Sequence, residues 1–247
     1  MATGFPIIFG KAAVADWTPA QISTALWLDA ADASTITLNG STVSQWADKS
    51  GNNRGLSQAT AAQQPTYRTN VLNGLSGVDF FQDKALFSST SNPVVQFVAT
   101  VIKSQNATWA SYHAMFDSRT IPARIGSIRA AGGTGFYTST PAEIASAAWE
   151  NGTSISVTGG PFSTITSPQI IEFTAAPERG NPMSGITIGN FDSLTFGGSG
   201  MQYEIIALSA VPSPEGRQKL EGYLAWKWGL QANLPVGHPY KTAPPTV

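Results

Sequence analysis

At 247 residues the chain is long enough to bury a sizeable core as one domain. Only 12% of its residues are charged, and 14 basic and 15 acidic side chains spread along it give a net charge of −1. No cationic cluster exists to neutralise a row of phosphates, which argues against nucleic acid as a partner. The absence of cysteine excludes a disulfide scaffold, a thiolate zinc site and a cysteine nucleophile.

Residues 1–20 read as a short apolar arm. Pro6 and Gly10 interrupt its apolar run and no basic segment precedes it, so it lacks the pattern of a secretory signal. No apolar stretch approaches the ~20 residues of a membrane span, so no membrane partner is expected. Two placements of the arm are open. It could pack as an edge strand on its own domain, or dock on a partner through Phe5, Ile7, Ile8 and Phe9.

Residues 21–247 are expected to form a single domain. From about residue 24 to 211, short apolar runs alternate with Gly, Pro, Ser, Thr and Asn, the pattern of many strands joined by turns. "ALWLDA" (25–30) alternates and ends at a turn. "STVSQWAD" (41–48) places Val43 and Trp46 in opposite registers, which predicts either a bend or a strand buried partly on both sides. "GVDFF" (77–81) is a further strand, and "VVQFVATVIK" (94–103), apolar on both faces, reads as central. "QIIEFTA" and "MQYEIIALS" follow the same logic. Asn151-Gly152 and the Gly-Gly pairs at 132, 159 and 197 mark turns. The fold class is all-β, a sandwich of two antiparallel sheets.

One helix is predicted, over residues 213–229. Ser213 is a good N-cap, Pro214 suits the first helical position, Glu215 complements the dipole and Gly229 ends the run. Leu220, Tyr223, Leu224 and Trp228 make an apolar stripe, with Arg217, Lys219 and Glu221 assigned off it. Residues 230–247, rich in proline, form an extended strap.

The segment running from "LWLDAADASTIT" through "QWADKSGNNRG" to "SGVDFF", together with "LEGYLAWKWGLQANLPVGHPYKTAPP", resembles concanavalin A-like lectin/glucanase domains of the laminin-G-like group. The closing segment is similar to those of bacteriophage and bacterial proteins, often virion components. The resemblance implies a jelly roll with the helix packed on it. It leaves function open, because lectins, hydrolases and structural proteins share the fold.

The residues narrow that choice. Glucanases of this fold place acids at alternate strand positions, and no such triplet is present; Glu143, Glu150, Glu172, Glu178 and Glu204 each lack a second acid at strand spacing, which leaves open a pair drawn from distant strands. His113 and His238 are the available imidazoles, and no nucleophile elbow occurs, so catalytic residues and enzymatic activity are not expected. Asp29, Asp32, Asp48, Asp79 and Asp83 could offer oxygens to Ca2+, but no dedicated loop spacing exists; no metal site is assigned and no cofactor expected. Trp109, Tyr112, Trp149, Asn151, Asn190 and Asp192 lie in or beside loops and would suit a glycan site.

The expectation is a non-enzymatic bacteriophage virion protein, a capsid decoration or tail component, located in the virion. Its partners would be other virion proteins and copies of itself, and it would be anchored through its termini. The alternative is a carbohydrate-binding module for cell-surface or environmental glycans.

Overall fold

A computed structural model describes residues 16–82, 84–88, 93–104, 113–117, 127–128, 145–157, 166–175, 185–189 and 198–247. Its first strands are β1 (Leu26–Asp29), β2 (Ile36–Asn39), β3 (Thr42–Trp46), β4 (Leu56–Ser57), β5 (Thr66–Leu72), β6 (Leu75–Gln82) and β7 (Leu86–Ser88). There follow β8 (Phe97–Ser104), β9 (His113–Asp117), β10 (Ser127–Ile128), β11 (Ala145–Glu150) and β12 (Thr153–Ile155). The set closes with β13 (Gln169–Ala175), β14 (Ile186–Gly189), β15 (Gly198–Leu208) and the helix α1 (Pro214–Trp228).

Hydrogen bonding links the strands in the order β10-β9-β14-β7-β4-β3-β5-β6-β15-β8-β13-β11-β12, with β2 on β3 and β1 on β15. The pairings are antiparallel, and the sheet folds over so that β9 and β14 face β8 and β15. The protein is an all-β sandwich. As the sequence predicts, β8 is central, lying between β15 and β13 with nearly every residue buried.

Two apolar clusters result. The inner one lies between the layers and includes Leu26, Leu28, Val43, Trp46, Phe80, Ile102, Phe116, Ile171, Phe173 and Ile205. The outer one lies between one sheet and α1, and includes Trp27, Phe97, Val101, Ile170, Tyr203, Ile206, Leu220, Leu224 and Trp228. Strand β1 feeds both. Leu26 and Leu28 point inward and Trp27 outward, so all four of its residues are buried instead of alternating with solvent.

Two register shifts decide which side chains go where. On β3, Thr37 faces Gln45 and Leu38 faces Val43, so Ser44 is an extra residue. That bulge lets Val43 and Trp46 both enter the inner core, and of the two outcomes their mismatched registers predict it is the bend. On β15, Gln202 faces Ile102 and Glu204 faces Val101, leaving Tyr203 unpaired. Past this bulge the alternation inverts, so Glu204, Ile206 and Leu208 join Tyr203 on the helix side.

The polar loop after β3 is a structural hub. Asp48 Oδ1 accepts from the Trp27 N–H at 3.0 Å and the Ser50 N–H at 2.9 Å. Its Oδ2 accepts from the Ser50 hydroxyl at 2.8 Å and the Arg54 N–H at 3.1 Å. Asn52 and Arg54 then donate to the Thr24 and Ala25 carbonyls. Replacing Asp48 by Ala therefore strands three backbone donors and should cost about 3 kcal/mol, with Asp48→Asn costing less. Urea unfolding at neutral pH measures it; a loss below roughly 1 kcal/mol would mean the loop is held by other groups.

Candidate functional site

The chemistry of the described residues is concentrated where α1 and the following strap cover the outer face of the sheet. The helix starts as its sequence dictates: Ser213 Oγ accepts from the Gly216 N–H at 3.1 Å and Pro214 occupies the first turn. It ends at Gly229, whose φ is 71°. Asn73, at the β5–β6 hairpin tip, donates to the Lys227 carbonyl at 2.8 Å and so satisfies one group of the last turn. Leu220, Leu224 and Trp228 are buried as the stripe predicts, with Tyr223 half-buried beside them.

Asp29 and Glu204 sit directly opposite each other on β1 and β15, both on the helix face. Lys227 comes down between them, its Nζ 2.7 Å from Asp29 Oδ1 and 2.7 Å from Glu204 Oε2. Glu204 is fully buried and takes three further donors. The Trp27 indole N–H lies at 2.7 Å, the Tyr223 hydroxyl at 2.9 Å and the Trp228 indole N–H at 2.7 Å. Lys49 closes the other side, with Nζ 2.9 Å from Asp29 Oδ2 and 2.9 Å from Asp32 Oδ2, and rests over the Trp27 ring.

The titration of these groups follows from this packing. Burial raises the Glu204 carboxyl, Lys227 opposes it and Asp29 adds to it. Burial, then Glu204, raises the Tyr223 hydroxyl. Asp32 is held down at about 2, first by its bond from the Ser34 hydroxyl and then by Lys49. Burial works against the Lys49 ammonium, but its bonds to Asp29 and Asp32 raise it overall.

A second cluster lies farther toward the N-terminal end of α1. Glu172 on β13 and Glu221 on α1, both buried, share the Arg217 guanidinium, whose Nη1 is 3.3 Å from Glu172 Oε2. Glu221 Oε2 is 2.9 Å from His238 Nε2. His238 Nδ1 accepts the Tyr240 N–H at 3.2 Å, which leaves the ring proton on Nε2, facing Glu221. One sequence expectation is corrected here. Glu221, read as off the buried stripe, is fully enclosed because Arg217 and His238 partner it. Acids with no second acid at strand spacing are brought together across elements, Glu172 with Glu221 and Glu204 with Asp29, as a pair from distant parts of the chain allows.

The strap roofs this cluster. Trp226 Nε1 donates to the Tyr240 carbonyl at 2.8 Å. Gly222 is required beneath it, because a Cβ there would lie 2.6 Å from Tyr240 Cβ. Beside the roof a groove of about 360 Å³ is lined by Trp17, Thr18, Tyr223, Trp226, Pro244 and Pro245, among others. At its edge Asp16 bridges to Thr246, and the Trp17 N–H donates to the Pro245 carbonyl at 2.9 Å.

Of the residues singled out for glycan binding, Trp149 and Asn151 are among those described. Trp149 is half-buried, with the Arg217 guanidinium 4.5 Å over its ring and Phe97 on its other contacts. Asn151 is buried at a φ of 48°; its Oδ1 accepts the Ile170 N–H at 3.0 Å and its amide donates to Gln169. Both are occupied by contacts within the chain instead of forming an open platform. Trp109, Tyr112, Asn190 and Asp192, and the arm residues Phe5, Ile7, Ile8 and Phe9, lie outside the described residues. Among those described, no group of three or more acids and histidines is placed to hold a metal ion, and no helix is long and apolar enough to cross a membrane.

No family model and no curated protein matches the chain. Among solved structures, a GH54 α-L-arabinofuranosidase mutant soaked with 4-nitrophenyl α-L-arabinofuranoside is similar at 12% identity and a TM-score of 0.40, over 73% of this chain and 50% of that one. The chain thus matches half the length of that protein. The sandwich assignment rests on the strand pairings above.

The Glu172 carboxyl is held well above its ordinary value of 4.5, first by burial and then by Glu221, with Arg217 opposing. The folded state therefore keeps a proton that the unfolded chain releases, and stability from this group falls as pH rises above about 4.5. Glu172→Gln, neutral throughout, should match the wild type near pH 4 and exceed it increasingly toward roughly pH 8. Denaturant melts across that range check it; a constant difference would mean that Glu172 titrates alike in both states.

Proposed function

We propose that the chain is a non-enzymatic structural module of a bacteriophage particle, a capsid decoration or tail component, attached through the segments that precede residue 16 and flank the strap. One observation carries this reading. Residues 16 and 17 pair with residues 245 and 246, so the start of the described chain and the end of the strap lie together on the sandwich, beside a groove. A segment joined to residue 16 could augment a neighbour from this place without disturbing the sandwich. The enclosure of both acid clusters supports a role other than hydrolysis, because a glycosidic bond must reach between two carboxyl groups for them to act on it.

A second reading, carbohydrate recognition, is favoured by the groove itself. Trp17, Tyr223 and Trp226 gather aromatic edges and faces beside Thr18, a composition that suits the apolar face of a sugar ring.

Deleting residues 1–15 separates these readings. The truncated chain keeps the Asp16–Thr246 pairing and should melt like the full chain, but should be missing from purified particles when it replaces the full chain during phage growth. Incorporation at the full-length level would overturn anchoring through the arm. On a glycan array the groove reading expects binding that Trp226→Ala abolishes; no binding by the folded protein would remove it.

A further inference from the structure

We propose that Lys227 and Asp29 are joined by an intramolecular isopeptide bond, formed spontaneously after folding and promoted by Glu204. This assignment is independent of the functional reading above.

The three groups meet the chemical requirements of amide formation between side chains. The amine and the carboxyl group are in contact, with Nζ 2.7 Å from Oδ1. Cγ lies one bond beyond that oxygen, near the ~3–3.5 Å of a near-attack arrangement. They are largely buried: the side chains of Asp29 and Lys227 are 5% and 18% exposed, and the Tyr223 and Trp228 rings lie against the ammonium at the edge of the groove. A third ionisable group touches the amine, Glu204 Oε2 at 2.7 Å, and its fully buried carboxyl has a raised affinity for a proton. A fourth, the Lys49 ammonium, lies 2.9 Å from Asp29 Oδ2, the oxygen on which negative charge grows when Cγ is attacked. An ordinary ion pair needs the first of these features and none of the others.

The step balances without any co-reactant. Glu204 relays one proton from the Lys227 ammonium to Asp29 Oδ1, leaving a neutral amine against a neutral carboxylic acid, and the amine lone pair attacks Cγ. The Nζ–Cγ bond forms, and Lys49 stabilises the charge on Oδ2. Glu204 then relays a second proton, from the attacking nitrogen, to Oδ1. The Cγ–Oδ1 bond then breaks and water leaves. Of the three ammonium protons, two depart in that water and one remains on the amide nitrogen; Oδ2 becomes the amide oxygen, still facing Lys49. Burial favours this outcome, because an ammonium and a carboxylate are replaced by one neutral amide. The bond would tie β1, the first strand, to the last turn of α1.

Intact-mass spectrometry of the purified full-length chain tests this. The expected result is a mass lower than the sequence by one water, with a tryptic digest yielding a branched peptide joined through Asp29 and Lys227. Lys227→Arg and Asp29→Ala should each restore the sequence mass. Glu204→Gln, which keeps the hydrogen-bonding shape but cannot accept the proton, should leave most of the chain unjoined. A wild-type chain that is folded by circular dichroism yet shows the full sequence mass after prolonged incubation would overturn the proposal. So would a cross-link mapped to Lys49, or a Glu204→Gln chain joined as completely as the wild type. The wild-type mass decides even if a variant fails to fold.

Discussion

The outer half of this protein depends on one electrostatic constraint: two carboxylates face each other across a strand pair with a single lysine between them. Asp29 and Glu204 are direct cross-strand neighbours, an arrangement that by itself is destabilising. Both are buried under the helix, where an uncompensated charge costs several kcal/mol. Lys227 resolves this from above, which restrains the last turn of α1 against β1 and β15. The two indole N–H groups and the Tyr223 hydroxyl complete the shell around Glu204, so the apolar packing of Trp27 and Trp228 is set by the same carboxylate.

The second acid cluster repeats the device about three turns away along α1. Arg217 reaches Glu172 on the sheet from the helix, as Lys227 reaches Asp29 and Glu204. The difference is the direction in which the chain of contacts continues. From Lys227 it runs outward through Asp29 to Lys49 and the loop at Asp48; from Arg217 it runs through Glu221 to His238 and the strap. The sandwich is thus held to its first loop at one end of the helix and to its last segment at the other. Between the layers, in contrast, the described core is mainly branched and aromatic side chains packed on one another.

Much of the fold could be read from the sequence because it rests on local chemistry. The helix bounds follow from Ser213, Pro214 and Gly229, and the central position of β8 from an apolar run with no polar face. Gly77, part of the "GVDFF" signature, has a reason in tertiary packing instead: a Cβ there would lie 3.0 Å from the Tyr203 ring on β15. The loop at Asp48 reads as a turn held by its own side chains, and Trp46 lies in the core as its neighbours imply. What could not be read is what depends on the bulge at Tyr203. A strand pattern with period 2 puts Glu204 opposite in phase to Tyr203, and no local signal announces that one extra residue places both on the helix face. With that phase missed, Glu204 reads as an acid without a second acid at strand spacing. Glu221 was hidden for a related reason. Its burial is decided by His238, a residue on a strap whose path no periodicity specifies.

The same bulge bears on how the acids are used. A carboxylate that acts on an outside substrate needs a route by which the substrate reaches it. Glu204 has none: its two oxygens meet an ammonium, a phenol and two indoles, and the helix lies over them. Glu172 does have an oxygen without a hydrogen-bond partner among the described residues, but it is fully buried. Its burial favours a proton in place of a charge. An acid that is neutral when enclosed and ionised when released stores its effect in the closure itself. It links the seating of α1 on β13 to pH without any ligand. The open chemistry of the described chain lies instead where residues 16–18 meet 244–246, outside both clusters but built on the helix that they fix in place.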